Sequence, residues 1–159
     1  SFSRYREMGG VVIIHMMQEP WVEAAIANDW VMIASDGMPY APGAHPRTSG
    51  TFSRVLARYV RERQLLDLPT AIRKMTLMPA QRLEHVAPQM AKKGRVQVSA
   101  DADLVLFDPA TIMDTADFDT GPQFSEGIHT VIVNGVIVVS NGETVADSYP
   151  GKAIIGLLP

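Results

Sequence analysis

Apolar residues occur in short runs along the first half of the chain, and these runs predict strands alternating with a helix. Residues 11–14 and 30–34 are apolar on both faces, which is typical of strands buried inside a parallel sheet. Pro20 stands where a first helical turn tolerates proline, so a short helix is predicted between the two runs. The order strand, helix, strand is the βαβ pattern of a parallel sheet.

A helical period begins after the Pro- and Gly-rich loop of residues 38–50. Apolar residues there recur three and four positions apart with arginines between them, which predicts an amphipathic helix. Its predicted apolar face consists of Phe52, Val55, Leu56, Tyr59 and Val60. Two more helices are predicted to begin near Pro69, burying Ala71, Ile72 and Met75, and near Pro79, burying Ala80 and Leu83.

The pattern changes to short β segments after Lys92-Lys93-Gly94. Strands are predicted at residues 95–98, 103–107, 130–133 and 136–139. The last two flank Asn134-Gly135, the strongest short-range signal for a β-hairpin. We therefore predict an antiparallel or mixed β layer, with residues 114–127 as an irregular excursion and a domain boundary between residues 93 and 94.

Composition excludes several classes of function. The chain has 159 residues, 14 basic against 17 acidic side chains and a net charge of −3, so it has no basic surface for nucleic acid. It has no cysteine, which excludes disulfides and thiolate sites within these residues. Its apolar runs are far shorter than the roughly 18 residues that a membrane helix needs. We expect neither nucleic acid nor a membrane as a partner, and we predict a cytoplasmic location.

Asp36 is the first candidate for chemistry, because it directly follows the predicted strand at residues 30–34. The carboxyl ends of strands face the active-site crevice in α/β folds, so a carboxylate there is placed for catalysis. Alternatively, Ser35-Asp36-Gly37 is only a turn in which the aspartate accepts backbone N–H groups. The residues alone favour neither interpretation.

The loop His45-Pro46-Arg47 is the second candidate. Arginine offers a rigid fork of donors to a carboxylate, and histidine can donate, accept or bind a metal. Alternatively, the arginine is simply exposed and His45 caps the next helix. His15 ends the first predicted strand and is expected at the same rim as Asp36, unless it is a core residue. His85 and His129 have no partner at ligand spacing and are interpreted as structural.

Several of these segments, in this order, resemble the N-acyl-D-amino-acid deacylases, or D-aminoacylases, of the metal-dependent amidohydrolase superfamily. The most specific element is the Ser-Asp-Gly sequence followed by His-Pro-Arg. The segments that carry the resemblance are residues 30–37, His45-Pro46-Arg47, residues 50–62, 71–76, 94–96, 102–109, 127–128 and 131–135.

The resemblance implies an α/β fold, a (β/α)₈ barrel with a small β-sandwich, of which this chain would be the carboxy-terminal third. Residues 1–93 would supply the last βα units of the barrel, and residues 94–159 strands of the sandwich. A complete barrel takes about 250 residues, so the chain cannot contain one. Strands that are apolar on both faces then need an amino-terminal barrel segment, or self-association, to cover them.

The resemblance also implies hydrolysis of a small N-acyl-D-amino acid at a site with one or two zinc ions. Asp36 would lie at the end of the eighth barrel strand as a metal ligand. It would act as general base toward the water held by the metal, then as general acid toward the leaving nitrogen. Arg47 would bind the α-carboxylate of the substrate, and His45 would lie near it. The other metal ligands would lie outside this chain.

Two positions depart from the family pattern, and two other functions remain open. Ser49 replaces an aromatic residue beside the substrate pocket, and Ser99 replaces a glycine in the turn before β structure resumes. Another amidohydrolase, acting on a cyclic imide or ureide, would keep Asp36 but need no arginine in this loop. The 159 residues by themselves could instead be a non-catalytic fragment or interaction module.

Overall fold

The structure is a computed structural model that describes residues 13–38 and 44–157, together with Arg4 and Glu7. The described residues form first the helices and then the strands. The α-helices are α1 (Glu19–Ala27), α2 (Arg47–Arg54), α3 (Leu68–Met75) and α4 (Leu77–Leu83). A π-helix (Val55–Glu62) continues α2, and a 3₁₀ helix (Pro88–Lys92) follows α4. The strands are β1 (Leu104–Phe107), β2 (Ile128–Val133), β3 (Val136–Ser140) and β4 (Glu143–Thr144).

The predicted amphipathic helix is confirmed, but it begins earlier and changes its winding. It is α-helical from Arg47 and becomes a π-helix at Val55. In the π-helical part the N–H of Arg63 donates to the carbonyl of Arg58, five residues back, at 2.8 Å. The core consists of Val55, Leu56, Tyr59, Ala71 and Ile112. Phe52, predicted on the apolar face, is 45% exposed, whereas Ser53 and Ala57 are buried. The buried face is therefore shifted from the one that the periodicity indicates.

The helices predicted near Pro69 and Pro79 are confirmed as α3 and α4. Asp67 caps α3, since its Oδ1 accepts the N–H of Thr70 at 2.7 Å. Ala71 and Ala80 are fully buried, as expected. Ile72 and Leu83 are exposed, which corrects their assignment to the core.

The prediction of parallel strands in the first half is wrong for the described residues. Ile13 and Ile14 have no regular structure, and Val11 and Val12 lie outside the described residues. Residues 30–34 are also irregular. A strand needs a neighbouring strand for its backbone hydrogen bonds, but here the N–H of Ile33 donates to the carbonyl of Lys74 on α3, at 3.1 Å. The strand predicted at residues 95–98 is wrong too, because Arg95 and Val96 have no regular structure and Gln97 and Val98 form a bend and a turn.

The four strands form one antiparallel sheet in the order β1-β2-β3-β4. Asn134 has φ +48° and Gly135 φ +79°, the left-handed conformation that a two-residue hairpin turn requires at both positions. The predicted hairpin is therefore confirmed. Between β1 and β2 the excursion is irregular apart from isolated bridges, Met113 with Glu126 and Asp117 with Gly121.

Asp103 attaches the hairpin to the segment after the 3₁₀ helix. Its carboxylate accepts the backbone N–H of Asn134 at 2.8 Å and pairs with Lys93 at 2.5 Å. Hydrogen bonds from the backbone N–H of Asn134 and from the Lys93 ammonium hold the pKa of Asp103 below its usual range, against a smaller opposing effect of burial. This carboxylate therefore contributes most to the fold when it is ionised.

Large apolar side chains are exposed along residues 13–34. Trp30 is 90% exposed, and Ile14, Met16 and Met17 are each about two-thirds exposed, at 69%, 66% and 68%. Such a set on one short stretch is more than the scattered apolar residues of an ordinary surface. No helix within the described ranges has the length and apolar character needed to cross a bilayer.

Candidate functional site

The turn Ser35-Asp36-Gly37 lies against the start of α2. Asp36 has φ +48°, a left-handed conformation that aspartate tolerates better than most residues. The hydroxyl of Ser35 accepts the N–H of Gly37 at 3.2 Å, and the hydroxyl of Thr48 accepts the N–H of Met38 at 3.3 Å. A Cβ on Gly37 would lie 3.2 Å from the Cα of Thr48, so this close approach favours glycine.

Arg47 contacts Asp36 at two points. Its Nη2 lies 2.9 Å from Oδ2 of the Asp36 carboxylate, and its Nε donates to the Asp36 carbonyl at 2.9 Å. The Asp36 side chain is 84% exposed and that of Arg47 38%. An ion pair this exposed adds little to stability. Both charged groups therefore remain accessible to a ligand.

His45 caps the beginning of α2, as one interpretation of the sequence expected. Its Nδ1 accepts the backbone N–H of Arg47 at 3.0 Å, so the neutral ring carries its proton on Nε2. Partial burial, then the positive charges of Arg47 and His15, lower the pKa of His45 below its usual value. The ring is thereby kept neutral near pH 7 and oriented beside Arg47.

Phe118 brings His15 and His45 together. The His15 ring lies 4.4 Å from the Phe118 ring and the His45 ring 5.0 Å from it, measured between centroids, both edge-on. His15 is exposed, so it is not the core histidine of the alternative interpretation. His85 and His129 are exposed elsewhere. Sequence reasoning missed Phe118 because it lies in the irregular excursion.

A cavity of about 650 Å³ opens next to this turn. His45 and Arg47 lie on its wall, whereas Asp36 is not among the lining residues. Most of the wall is apolar, including Val22, Ile33 and Val55. The site thus combines an apolar space with a guanidinium at its margin, an arrangement suited to a small amphipathic anion.

Glu19 and Tyr59 form a polar contact in the same cavity that the sequence did not reveal. Oε1 of Glu19 accepts the Tyr59 hydroxyl at 2.9 Å and Nε of Arg58 at 3.0 Å. Burial opposes ionisation of Glu19, but the contacts with Tyr59 and Arg58 outweigh it and lower its pKa. Burial and the bond to Glu19 raise the pKa of Tyr59. These residues are 40 positions apart, and no local pattern connects them.

The described residues contain no group of three or more His, Asp or Glu side chains that could hold a metal ion. The Asp36 carboxylate is an oxygen donor of the kind that zinc accepts, and it is exposed. A catalytic zinc site uses about three protein ligands. Asp36 fits the role of one of these ligands, and the other ligands would have to come from beyond the described residues.

The amidohydrolase family model matches residues 4–139. Among curated proteins, a D-aminoacylase from Alcaligenes xylosoxydans xylosoxydans is 45% identical over 126 residues, which cover 79% of this chain and 25% of that protein. An N-acyl-D-aspartate deacylase from the same organism is 40% identical over 142 residues, 89% of this chain and 27% of that protein. The chain therefore spans about a quarter of the length of these relatives.

Solved structures of two deacylases are also similar to this chain. A crystal structure of D-aminoacylase superposes on this chain with a TM-score of 0.76 at 42% identity. The superposition covers 83% of this chain and 27% of the D-aminoacylase chain. An N-acyl-D-glutamate deacylase from Bordetella bronchiseptica, complexed with zinc and a phosphonate mimic of the tetrahedral intermediate, has a TM-score of 0.77 at 39% identity. This superposition covers 87% of this chain and 28% of the N-acyl-D-glutamate deacylase chain.

Proposed function

The chain belongs to the amidohydrolase family, and we propose that it is the carboxy-terminal portion of a zinc-dependent enzyme that hydrolyses N-acyl-D-amino acids. The products are a carboxylate and a free D-amino acid. The observation that carries this proposal is the pairing of Asp36 with Arg47 at the margin of the cavity. The Asp36 carboxylate can accept and donate a proton, and the Arg47 guanidinium can bind a carboxylate of a substrate.

Arg47 binds the α-carboxylate of the substrate in this proposal. Its guanidinium already contacts a carboxylate oxygen through Nη2 and a carbonyl oxygen through Nε. A substrate carboxylate would use the same donors in a charge-assisted, two-pronged contact. The hydrogen bond that the Arg47 N–H donates to Nδ1 of His45 supports the backbone of Arg47. Held in this way, the substrate presents its amide in a fixed orientation.

Asp36 carries the proton during hydrolysis. It accepts a proton from the attacking water as the oxygen adds to the amide carbon, and it donates this proton to the nitrogen as the C–N bond breaks. Both steps need a carboxylate that is accessible, which fits its exposure of 84%. Zinc, when bound, would lower the pKa of the attacking water and polarise the amide carbonyl. One or two ions would be held by Asp36 and by ligands outside this chain.

The expected architecture is part of this proposal. Residues 1–93 would complete a (β/α)₈ barrel whose other strands come from the missing amino-terminal segment, and residues 94–159 would contribute to a β-sandwich. The exposed apolar side chains along residues 13–34 support a covering partner of this kind.

A zinc-loaded preparation of the complete enzyme tests the function. We expect it to hydrolyse N-acetyl-D-amino acids and to leave their L-enantiomers and cyclic imides or ureides intact. Asp36→Asn should lower kcat by roughly 10²- to 10⁴-fold, because it removes the proton carrier. Asp29→Asn, a change at an exposed turn, is the control. Turnover of a cyclic imide or ureide without turnover of N-acetyl-D-amino acids would favour the other branch of the family.

A further inference from the structure

Lys74 is the largest side chain that is fully buried among the described residues, with 1% of its surface exposed. It lies in the last turn of α3. Lysine is almost never fully buried unless its ammonium group has partners, because removing a charge from water is costly. Its partners therefore indicate what the residue does.

The ammonium group of Lys74 binds the segment that leads to Asp36. Its Nζ donates to the carbonyl of Asn28 and, at 3.1 Å, to the carbonyl of Val31. The backbone carbonyl of Lys74 in turn accepts the N–H of Ile33 at 3.1 Å. One residue of α3 thus contacts three positions between the end of α1 and the Ser-Asp-Gly turn.

The charge of Lys74 also complements the end of α1. Helix α1 has no basic residue in its last turn, and Asn28 is its C-cap. A cation is stabilised near the carbonyl groups at a helix C-terminus. Lys74 supplies that cation from a different helix, so α1, α3 and the segment between Asn28 and Ile33 are joined at one point.

This connection matters because residues 30–34 are not paired in a sheet in the described structure. Within the described ranges, the hydrogen bonds that tie Asn28, Val31 and Ile33 to another helix are those of Lys74. Asp36 follows Ile33 by three residues, and its contact with Arg47 requires the turn to lie against α2.

We propose that Lys74 is a positioning residue for Asp36: its buried ammonium fixes the carbonyls of Asn28 and Val31 and thereby sets where the Asp36 carboxylate lies. The proposal rests on the proposed function, in which Asp36 carries the proton. Lys74 does not contact the substrate. Its loss removes the ammonium donor from both carbonyls: the Asn28 carbonyl keeps only the N–H of Val31, and the Val31 carbonyl loses its bond to α3. The segment is then held less firmly against α3.

Lys74→Met in the complete, zinc-loaded enzyme tests this role, because methionine keeps the length and removes the charge. We expect kcat for an N-acetyl-D-amino acid to fall roughly 10- to 100-fold, since a misplacement of about 1 Å can cost that much. KM should change less than threefold, because Arg47 belongs to a different helix. Hydrogen exchange at the amides of residues 33–37 should become at least tenfold faster.

Two controls separate positioning from general stability. Arg73→Met changes the exposed neighbour on the same helix and should leave kcat and exchange unchanged. Ile112→Val weakens the core at a buried residue that lies outside residues 28–36, and it should lower the melting temperature while kcat is retained. If Ile112→Val lowered kcat as much as Lys74→Met did, positioning by Lys74 would be refuted.

The remaining outcomes distinguish this proposal from the proposed function. If the wild-type enzyme were inactive on N-acetyl-D-amino acids, the function would fail, and hydrogen exchange at residues 33–37 would still decide the role of Lys74. If the wild type were active and Lys74→Met kept its kcat and its slow exchange, only the positioning role would fail. If Lys74→Met does not fold, Lys74→Gln takes its place in the test, because glutamine retains one donor group. Its kcat is then expected to lie below that of the wild type, and its hydrogen exchange at residues 33–37 is expected to be faster.

Discussion

The guanidinium of Arg47 contacts both the carboxylate and the backbone carbonyl of Asp36, at 2.9 Å in each case. The carbonyl contact depends on the left-handed backbone of Asp36, whose φ is +48°. The Ser-Asp-Gly turn and the His-Pro-Arg loop therefore form one structural unit, although a Pro- and Gly-rich segment separates them in the sequence. Within this unit Arg47 lines the cavity, whereas Asp36 pairs with Arg47 without lining the cavity itself.

Arg47→Met is expected to weaken substrate binding. Loss of a charge-assisted contact to the substrate carboxylate costs about 1.5–3 kcal/mol, so KM for an N-acetyl-D-amino acid should rise roughly 10- to 100-fold. Steady-state kinetics of the complete enzyme measure this, with Arg63→Met, which breaks an ion pair to Glu23, as control. An unchanged KM in Arg47→Met would show that this arginine does not bind the carboxylate.

The 159-residue chain alone is expected not to hold zinc tightly. The described residues include no cluster of three or more candidate ligands, and a stable protein zinc site uses about three or four. Equilibrium dialysis with zinc, followed by metal analysis, should give a stoichiometry well below one, and the chain should not hydrolyse N-acetyl-D-amino acids. One zinc ion retained per chain against a mild chelator would contradict this.

The isolated chain is also expected to self-associate. Trp30 is 90% exposed, and Ile14 and Met17 are exposed near it in sequence. Large exposed apolar areas mark surfaces that normally pack against another chain or segment. Gel filtration over a range of concentrations should show species larger than a monomer, and Trp30→Ser should reduce them. A cooperative monomer at all concentrations would refute this prediction.

Asp103→Asn is expected to reduce the acid sensitivity of the β layer. The pKa of Asp103 is lowered by the N–H of Asn134 and by Lys93. Its stabilising contribution is therefore fully present above the unfolded pKa, near 3.8, and is lost as the pH falls through the lower folded pKa. Because the pair is partly exposed, this contribution is on the order of 1 kcal/mol or less.

Chemical unfolding between pH 2 and 7, monitored by β-sheet circular dichroism, measures this effect. The difference in free energy of unfolding between wild type and Asp103→Asn should be greatest above pH 4 and shrink below it. Glu143→Gln, at an exposed position in β4, is the matched control. An equal difference at all pH values would mean that ionisation of Asp103 does not stabilise the fold.

Ser99→Gly is expected to stabilise the protein. Ser99 has φ +69°, where a side chain is strained and glycine is not. Relief of that strain should raise the free energy of unfolding by roughly 1 kcal/mol. Ser140→Gly, at the end of β3, should instead lower the free energy of unfolding, because Ser140 is paired with Thr130 and glycine is disfavoured in paired strands. Thermal unfolding of both variants tests this, and a loss of stability in Ser99→Gly would be the opposite result.

Elements specified by neighbouring residues were predictable. The hairpin at Asn134-Gly135 and the helix that Asp67 caps depend on the backbone preferences of a few adjacent residues. The family resemblance assigned Asp36 and Arg47 to one site but predicted no contact between them, and this contact is seen only in the structure. Their catalytic and binding roles remain predictions, as does the domain boundary at residues 93 and 94.

The Asn134-Gly135 hairpin, the helices after residue 46 and the charged groups at the Ser-Asp-Gly turn could be predicted, because they depend on residues that are adjacent in the chain. The contacts of residues 30–34 with Lys74 and of Glu19 with Tyr59 became visible only in the folded structure. An apolar run has the same pattern in a paired strand as in an extended connection, since strand formation depends on a partner elsewhere. Contacts between residues 40 or more positions apart come from packing, and no local pattern encodes them.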